Sequence, residues 1–507
     1  MKIKNVEIKR QILQTELDGQ KTKEARNILG QFSTPFPLAC DILAHTKKFY
    51  PSDEQVRFLD PAFGTGVFYS ALNNAFLNEK IEIATGYEID EHYGVPSAQL
   101  WKDTKLNYNI SDFTSQEEPC EDEKYNLVVC NPPYVRHHHI KEKKTTLKDR
   151  AFESAGVNLS GLAGLYCYFM AITHSWMKKD GIACWLIPSE FMDVNYGDEI
   201  KSYLLNKVSL LQIHRFEPEN VQFGDALVSS AVVWFKKIKP NEHHNIKFTY
   251  GGEIENPSHE MFVSSDTLRA EKKWSRFPLS DIRNKDDSPR LCDFFTVKRG
   301  IATGDNKFFV LTKDEIENMG LPLSQFRPIL PSPRYLNVSE IDSDIDGTPD
   351  LEQKLFVLDS KLPIDKIKTL YPSLYRYLSI GIDSGVPERY LCRKRKIWYS
   401  QEARPESHFY CTYIGRTDEN GKKPFRFILN NSKAIVSNSY LILYPKDILQ
   451  AAIEQDPTIR NKLIDALNNI TDKDMLDEGR VYGGGMHKME PKELSNVNAL
   501  EIQKILD

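Results

Sequence analysis

Between Val56 and Phe235 the chain alternates short β-rich apolar runs with amphipathic stretches, and this alternation limits the folds open to it. The runs are VRFLD (56–60), IEIATGYEID (81–90), KLNYNI (105–110), YNLVVC (125–130), IACWLIP (182–188), LLQIHRF (210–216) and VSSAVVWF (228–235). Between them, FYSALNNAFLNE and YCYFMAITHSWMKK carry apolar residues at helical spacing. Seven strands separated by helices specify an open, mostly parallel α/β sheet of the Rossmann-like kind. In such a sheet ligands bind outside the carboxyl ends of the strands. DPAFGTG (60–66), YEID (87–90) and NPPY (131–134) each end or follow a strand, so they are expected along one rim.

A chain of 507 residues exceeds what one core supports, so more than one domain is expected. After Lys237 the rhythm breaks: KIKPNEHHNIKFTYGGEIENPSHE is polar and interrupted by Pro and Gly. The expected division is an N-terminal helical segment (1–30), an α/β domain (31–240) and a C-terminal α+β domain (241–507). No apolar run is long enough for a membrane span, and MKIKNVEIKRQILQ reads as an amphipathic helix without a signal core. Eight cysteines without a CxxC pair suit reduced thiols and a cytoplasmic location. With a net charge of −5, a nucleic-acid partner must be met by a local basic surface.

The rim motifs carry the chemistry. In FLDPAFGTGVF (58–68) glycines let backbone approach a ligand at the start of a helix. The pattern is neither GxGxxG nor a lysine-bearing phosphate loop, and Asp60 at the strand end suits an ammonium group. Its bland alternative is an ordinary βα turn. Glu88 offers two oxygens to the hydroxyls of a ribose, where the alternative is a solvated carboxylate. In SDF (111–113), Asp112 suits an adenine amine and Phe113 the ring beside it.

DPAFGTG, YEID, SDF and NPPY, in this order, resemble S-adenosylmethionine-dependent methyltransferases that act on amino groups. GQFSTPFPLACDILA (30–44) upstream, TVKRGIATGDNKFFV (296–310) and GRVYGGGMHKMEPKEL (479–494) extend the resemblance to gamma-class N6-adenine DNA methyltransferases of type II restriction-modification systems. In that class a cofactor-binding catalytic domain precedes a target-recognition domain, which here would be 31–240 and 241–507. The resemblance implies that Thr34, Asp60, Ala62 and Gly64 meet the methionine end of the cofactor, that Glu88 holds the ribose, and that Ile89 and Phe169 flank the adenine, with Asp112 on its amine. For Phe169 a core helix position is the competing reading. Phe223, in EPENVQFGDALVSS, is placed against a flipped base.

NPPY then reads as a clamp for a planar amine. The lone pair of an adenine amine is delocalised into the ring. Two acceptors on its hydrogens, the Asn131 side-chain oxygen and the Pro132 carbonyl, favour a pyramidal nitrogen, which is positioning and electrostatics. Tyr134 stacks on the base, which must leave the duplex to arrive there. The following histidines, in VRHHHIKEKK (135–144), cannot all turn to one metal, so no metal is expected and the segment reads as a mobile basic loop contacting DNA phosphate. ERYLCRKRKIWYSQEARP (388–405) interleaves Arg393, Lys394, Arg395 and Lys396 with aromatics; with Lys298 and Arg299 it is the expected DNA-binding surface, against the bland reading of a solvated charged loop. The expected partner is double-stranded DNA, bound by a monomer. The competing classes are an NPPY-type ribosomal RNA adenine methyltransferase and a non-catalytic DNA-binding specificity module. N4-cytosine methylation is disfavoured because Asn opens the motif, and a fused nuclease because no nuclease core is evident.

Overall fold

The computed structural model of the protein describes residues 2–217, 222, 229–279, 288–416, 423–482 and 486–506. Two compact units divide the chain, the first running through Asn284 and the second comprising nearly all of the remainder.

The first unit is built on strands β1 (Val56–Asp60), β2 (Ile81–Glu88), β3 (Leu106–Ile110), β4 (Tyr125–Cys130), β5 (Met177–Pro188), β6 (Ser209–Arg215), β7 (Ser230–Lys236), β8 (Asn245–Gly252) and β9 (Pro257–Ser264). They lie in the order β3-β2-β1-β4-β5-β7-β6-β8-β9. β7 runs antiparallel to both its neighbours and β9 antiparallel to β8, while the other pairings are parallel. The chain leaves β1 toward β2 and β3 and returns to β4 on its other side, which makes the ends of β1 and β4 the topological switch point.

Helices accompany the sheet, among them α1 (Lys2–Gly19), α2 (Lys23–Leu29), α3 (Phe36–Thr46), α4 (Val67–Ala75), α5 (Glu91–Trp101), α6 (Lys144–Ala155), α7 (Leu165–Trp176) and α8 (Asp198–Asn206). The period-two alternation of the central strands divides their side chains between two cores. Phe58, Leu127, Val129 and Cys184 join Ile42 and Leu43 of α3 and Phe68 and Leu72 of α4. Leu59, Val128, Cys130 and Trp185 join Leu147 of α6, Met170 of α7 and Leu204 of α8. Both faces of the sheet are covered, so β4 is buried along its whole length and reads as an unbroken apolar run.

Two expectations about extent are corrected. The sheet does not stop at seven strands, because β6 pairs in parallel with β8 across Gln212–Lys247 to Arg215–Tyr250. The compact unit therefore runs about forty residues past the expected boundary at 240, through Trp274 and Phe277, which are buried in the same core as Phe248. The polar, glycine-bearing stretch at which the boundary was expected forms a hairpin at the sheet edge. Residues 1–30 are likewise part of this unit and not a separate segment.

The second unit carries a five-stranded sheet in the order Phe295–Arg299, Tyr440–Pro445, Phe409–Thr412, Phe427–Asn430, Glu340–Ile341, mostly antiparallel. A separate three-stranded sheet is formed by Val310–Thr312, Leu355–Leu358 and Phe326–Ile329. Helices Asp447–Gln455 and Ile459–Asn468 pack Leu449 and Leu463 into the core of the larger sheet. The α+β expectation describes it. Among the described residues no helix is long and apolar enough to cross a membrane.

Candidate functional site

A cleft of about 890 Å³ opens where β1, β2 and β4 end. Ala62 and Gly64, Glu88 and Ile89, Asp112 and Phe113, Asn131, and Phe169 of α7 all line it. Four sequence-distant motifs thus meet on one rim, as the strand order requires.

The glycine loop is shaped from within. Gly64 and Gly66 have φ of +55° and +90°, a region that strains any residue with a Cβ. A Cβ on Gly66 would also lie 2.5 Å from the Phe63 ring. Behind Pro61 and Ala62, Asp60 is 1% exposed. Its Oδ1 accepts the Ala62 amide at 3.2 Å, and its Oδ2 is buried with no hydrogen-bond partner among the described residues. Burial, with the Glu88 charge adding to it, raises the Asp60 pKa to about 8. Glu88 is pushed up by burial as well, although its two oxygens accept the amides of Gly64 at 2.9 Å and Asp90 at 2.8 Å. Each oxygen keeps a lone pair for a ligand hydroxyl.

Asp112 takes the Thr114 amide and hydroxyl on Oδ1, at 2.9 and 2.7 Å. Its Oδ2 pairs with Lys143 at 2.8 Å. Burial works to raise its pKa, but the Lys143 ammonium and the Thr114 contacts outweigh that and hold it below the usual range. His138 and His139 line this cleft together with Lys143, so the histidine-bearing segment covers the cofactor side. Phe113 and Phe169 sit 5.8 Å apart beneath it, their planes tilted by 34°. Among the described residues no group of His, Cys, Asp and Glu is arranged to hold a metal.

Asn131 is held by its amide nitrogen. Nδ2 donates to the Phe32 carbonyl at 2.9 Å and to the Thr34 hydroxyl at 3.0 Å. A carbonyl only accepts, so the NH2 group must face Phe32 and the side-chain oxygen must face the other way. That oxygen is buried and has no hydrogen-bond partner among the described residues. Thr34 thus orients Asn131, where a cofactor contact was expected; its own side chain is 6% exposed. Pro132 is buried, and the Tyr134 hydroxyl donates to the Leu186 carbonyl at 3.0 Å, which fixes the ring from its far end. Phe223 lies outside the described residues, as do Gly483 to Gly485 of the GRVYGGGMHKMEPKEL stretch.

Gly30 was missed as a site residue. It ends α2 at φ +65°, and its carbonyl accepts the Tyr134 amide at 3.2 Å. A Cβ there would sit 2.4 Å from the Tyr134 nitrogen. The signal was present in GQFSTP, but only the fold shows that the glycine docks on NPPY. Gly30→Ala is expected to cut turnover roughly a hundredfold by shifting the clamp, a loss typical of misplacement by about 1 Å. Cofactor affinity should fall far less; single-turnover rates set against equilibrium binding measure the difference.

In the second unit Lys298, Arg393, Lys394 and Lys396 are exposed. Arg299 and Arg395 depart from the expected DNA surface. Arg299 donates to the Asn438 carbonyl at 2.9 Å and stacks 3.9 Å over Tyr413. Arg395 donates to the carbonyls of Ala302 at 2.6 Å and Thr303 at 2.9 Å. Both brace their own unit, and Trp398 and Tyr399 pack in its core.

Residues 40–222 match the family model of the Eco57I restriction-modification methylase, and 272–506 match the C-terminal domain of type II methyltransferase M.Eco57I. The chain belongs to the type II restriction-modification methyltransferases. It is 25% identical to the type II methyltransferase M.AccI of Acinetobacter calcoaceticus, over 94% of this chain and 86% of that protein. Against M.XamI of Xanthomonas campestris pv. amaranthicola it is also 25% identical, over 89% of this chain and 81% of that protein. The cryo-electron microscopy structure of a DrdV–DNA complex shares the fold, with TM-score 0.50 and 14% identity over 91% of this chain and 56% of that one. The cofactor of this methyltransferase is S-adenosylmethionine. The cleft fits it: an orphaned buried carboxylate oxygen stands behind the glycine loop for an ammonium, Glu88 has capacity for hydroxyls, and two aromatics flank an acidic residue suited to adenine.

Proposed function

We propose that this methyltransferase modifies the N6 amine of adenine at specific sites in duplex DNA, acting on a base rotated out of the helix and protecting that DNA from a cognate nuclease. The observation that carries the reading is the Asn131 side-chain oxygen, buried, without a partner among the described residues and fixed in direction by Phe32 and Thr34. A buried acceptor left unmatched costs about 1–3 kcal/mol, so it marks a place where a donor arrives. An exocyclic NH2 is such a donor.

When bound, S-adenosylmethionine supplies an electrophilic methyl group. Asn131 and the Pro132 carbonyl accept the two amine hydrogens and so turn the nitrogen lone pair out of conjugation. Tyr134, tethered at Leu186, offers the face on which the base stacks, a contact worth roughly 1–3 kcal/mol. The methylated nitrogen is cationic and loses its proton readily, so no strong base is needed. Extrusion of the base costs a few kcal/mol, which stacking helps to offset. The second unit selects the sequence, with Lys298, Arg393, Lys394 and Lys396 as contacts to phosphate.

Nucleoside analysis of plasmid DNA treated with the protein and S-adenosylmethionine is the direct test. N6-methyladenine is expected, at one sequence context once the plasmid is read with modified-base detection. N4-methylcytosine, or methylation of ribosomal RNA with none in DNA, overturns the reading.

A further inference from the structure

Helix α1 precedes both segments matched by the family models, yet it reaches into the cofactor cleft. Glu7 and Arg10 are 6% and 3% exposed and form a two-pronged pair, Nε to Oε2 at 2.9 Å and Nη2 to Oε1 at 2.8 Å. A buried ion pair is a poor source of stability, since desolvation offsets most of its attraction. What it does here is fix direction. The remaining Arg10 nitrogen, Nη1, donates to the Thr65 hydroxyl at 2.9 Å.

Thr65 stands between Gly64 and Gly66, at the bend of the loop behind which Asp60 is buried. Its hydroxyl passes its own hydrogen to Gln14 Oε1 at 2.6 Å, and its carbonyl accepts the Trp101 indole N–H at 2.9 Å. The chain of contacts continues along α1. Gln14 Nε2 donates to Asp18 at 2.9 Å, and the Tyr93 hydroxyl donates to the same oxygen at 2.8 Å. Beyond α1, Lys21 pairs with Asp90, two residues past Glu88, and Gln31 donates to Asp90 at 2.7 Å. Gln14, Asp18 and Lys21 all line the cleft. A helix docked only for packing has no need of a buried guanidinium aimed at a glycine loop.

We propose that α1 is a wall of the S-adenosylmethionine site: Arg10, through Thr65, sets the glycine loop in its binding shape, and Gln14, Asp18 and Lys21 present a polar face toward the ribose alongside Glu88. The inference rests on S-adenosylmethionine being the cofactor. Arg10 and Thr65 are positioning residues in it.

The test is calorimetric binding of S-adenosylmethionine to the full chain. If the unaltered protein binds none, the cofactor assignment itself fails. With binding established, Thr65→Val should weaken it about tenfold, the size expected when a hydrogen bond involving a charged group is removed. The melting temperature without cofactor should fall by a few degrees, since Arg10 Nη1 loses its partner, while the cofactor-induced rise shrinks and amide exchange over 61–67 quickens. Affinity within twofold of the unaltered protein, with unchanged exchange, overturns the proposal. The paired replacement Glu7→Leu with Arg10→Met removes both charges together and serves where Thr65→Val fails to fold. It is expected to weaken binding to a similar degree, and unaltered affinity there overturns the proposal equally.

Discussion

Asn131→Ala is expected to leave S-adenosylmethionine binding within about twofold while lowering methyl transfer roughly a thousandfold, the upper range for loss of one preorganised hydrogen-bonding group. The side-chain oxygen faces away from Phe32 and Thr34 and has no partner among the described residues, so its removal leaves only those two acceptors unsatisfied there. Both of these have alternatives: the Thr34 hydroxyl rotates, and the Phe32 carbonyl accepts a water admitted by the missing side chain. Folding should therefore survive. Single-turnover transfer of a tritiated methyl group to a plasmid, beside calorimetric cofactor binding, separates the two effects. An equal loss in both would show that Asn131 serves the cofactor and not the base.

The second large effect concerns Asp60. Its pKa of about 8 means that the carboxyl is mostly protonated at pH 7 when the cofactor is absent. The pairing proposed for Asp60 with the cofactor ammonium requires the charged form, so binding at pH 7 should release most of a proton. The sign follows directly. Affinity rises with pH up to about 8, then declines as the α-ammonium of the cofactor, near 7.7–8.0, loses its own proton. Binding enthalpies measured in phosphate and in Tris give the proton count as the slope against buffer ionisation enthalpy. Asp60→Asn mimics the protonated state, so the free protein should keep its stability. Its affinity for S-adenosylmethionine should fall about a hundredfold, as when one partner of a buried pair is removed, and the buffer dependence should vanish. Persistent proton release in that variant would assign the titration to another group.

Much of the site was legible because strand ends carry it. An apolar run followed by a glycine turn, an acidic residue or a proline pair needs only the parallel order to bring Gly64, Glu88, Asp112 and Asn131 to one rim. What was not legible depends on contacts between segments distant in sequence. No spacing rule connects Arg10 to Thr65, Gly30 to Tyr134 or Lys143 to Asp112. Thr34 was assigned to the cofactor for the same reason, since its proximity to Asn131 arises only when the GQFSTP stretch folds across the end of β4. Basic clusters mislead in another way. Arg395 and Lys396 are equivalent on paper, but Arg395 is turned inward, where it donates to two carbonyls, while Lys396 is exposed. The boundary near 240 was misplaced because a hairpin at a sheet edge has the same polar, glycine-bearing composition as a linker.

That hairpin matters for anyone dissecting the protein. A fragment ended at residue 240 would strip β6 of its outer neighbour, leaving the backbone donors and acceptors of Gln212 to Arg215 open to solvent or to another copy. It would also lose Phe248, Val263 and Trp274 from the core that supports α8. Such a fragment would keep every residue of the cleft and still be a sticky, half-clad sheet. A piece that keeps this hairpin and the aromatics packed behind it runs at least to Phe277.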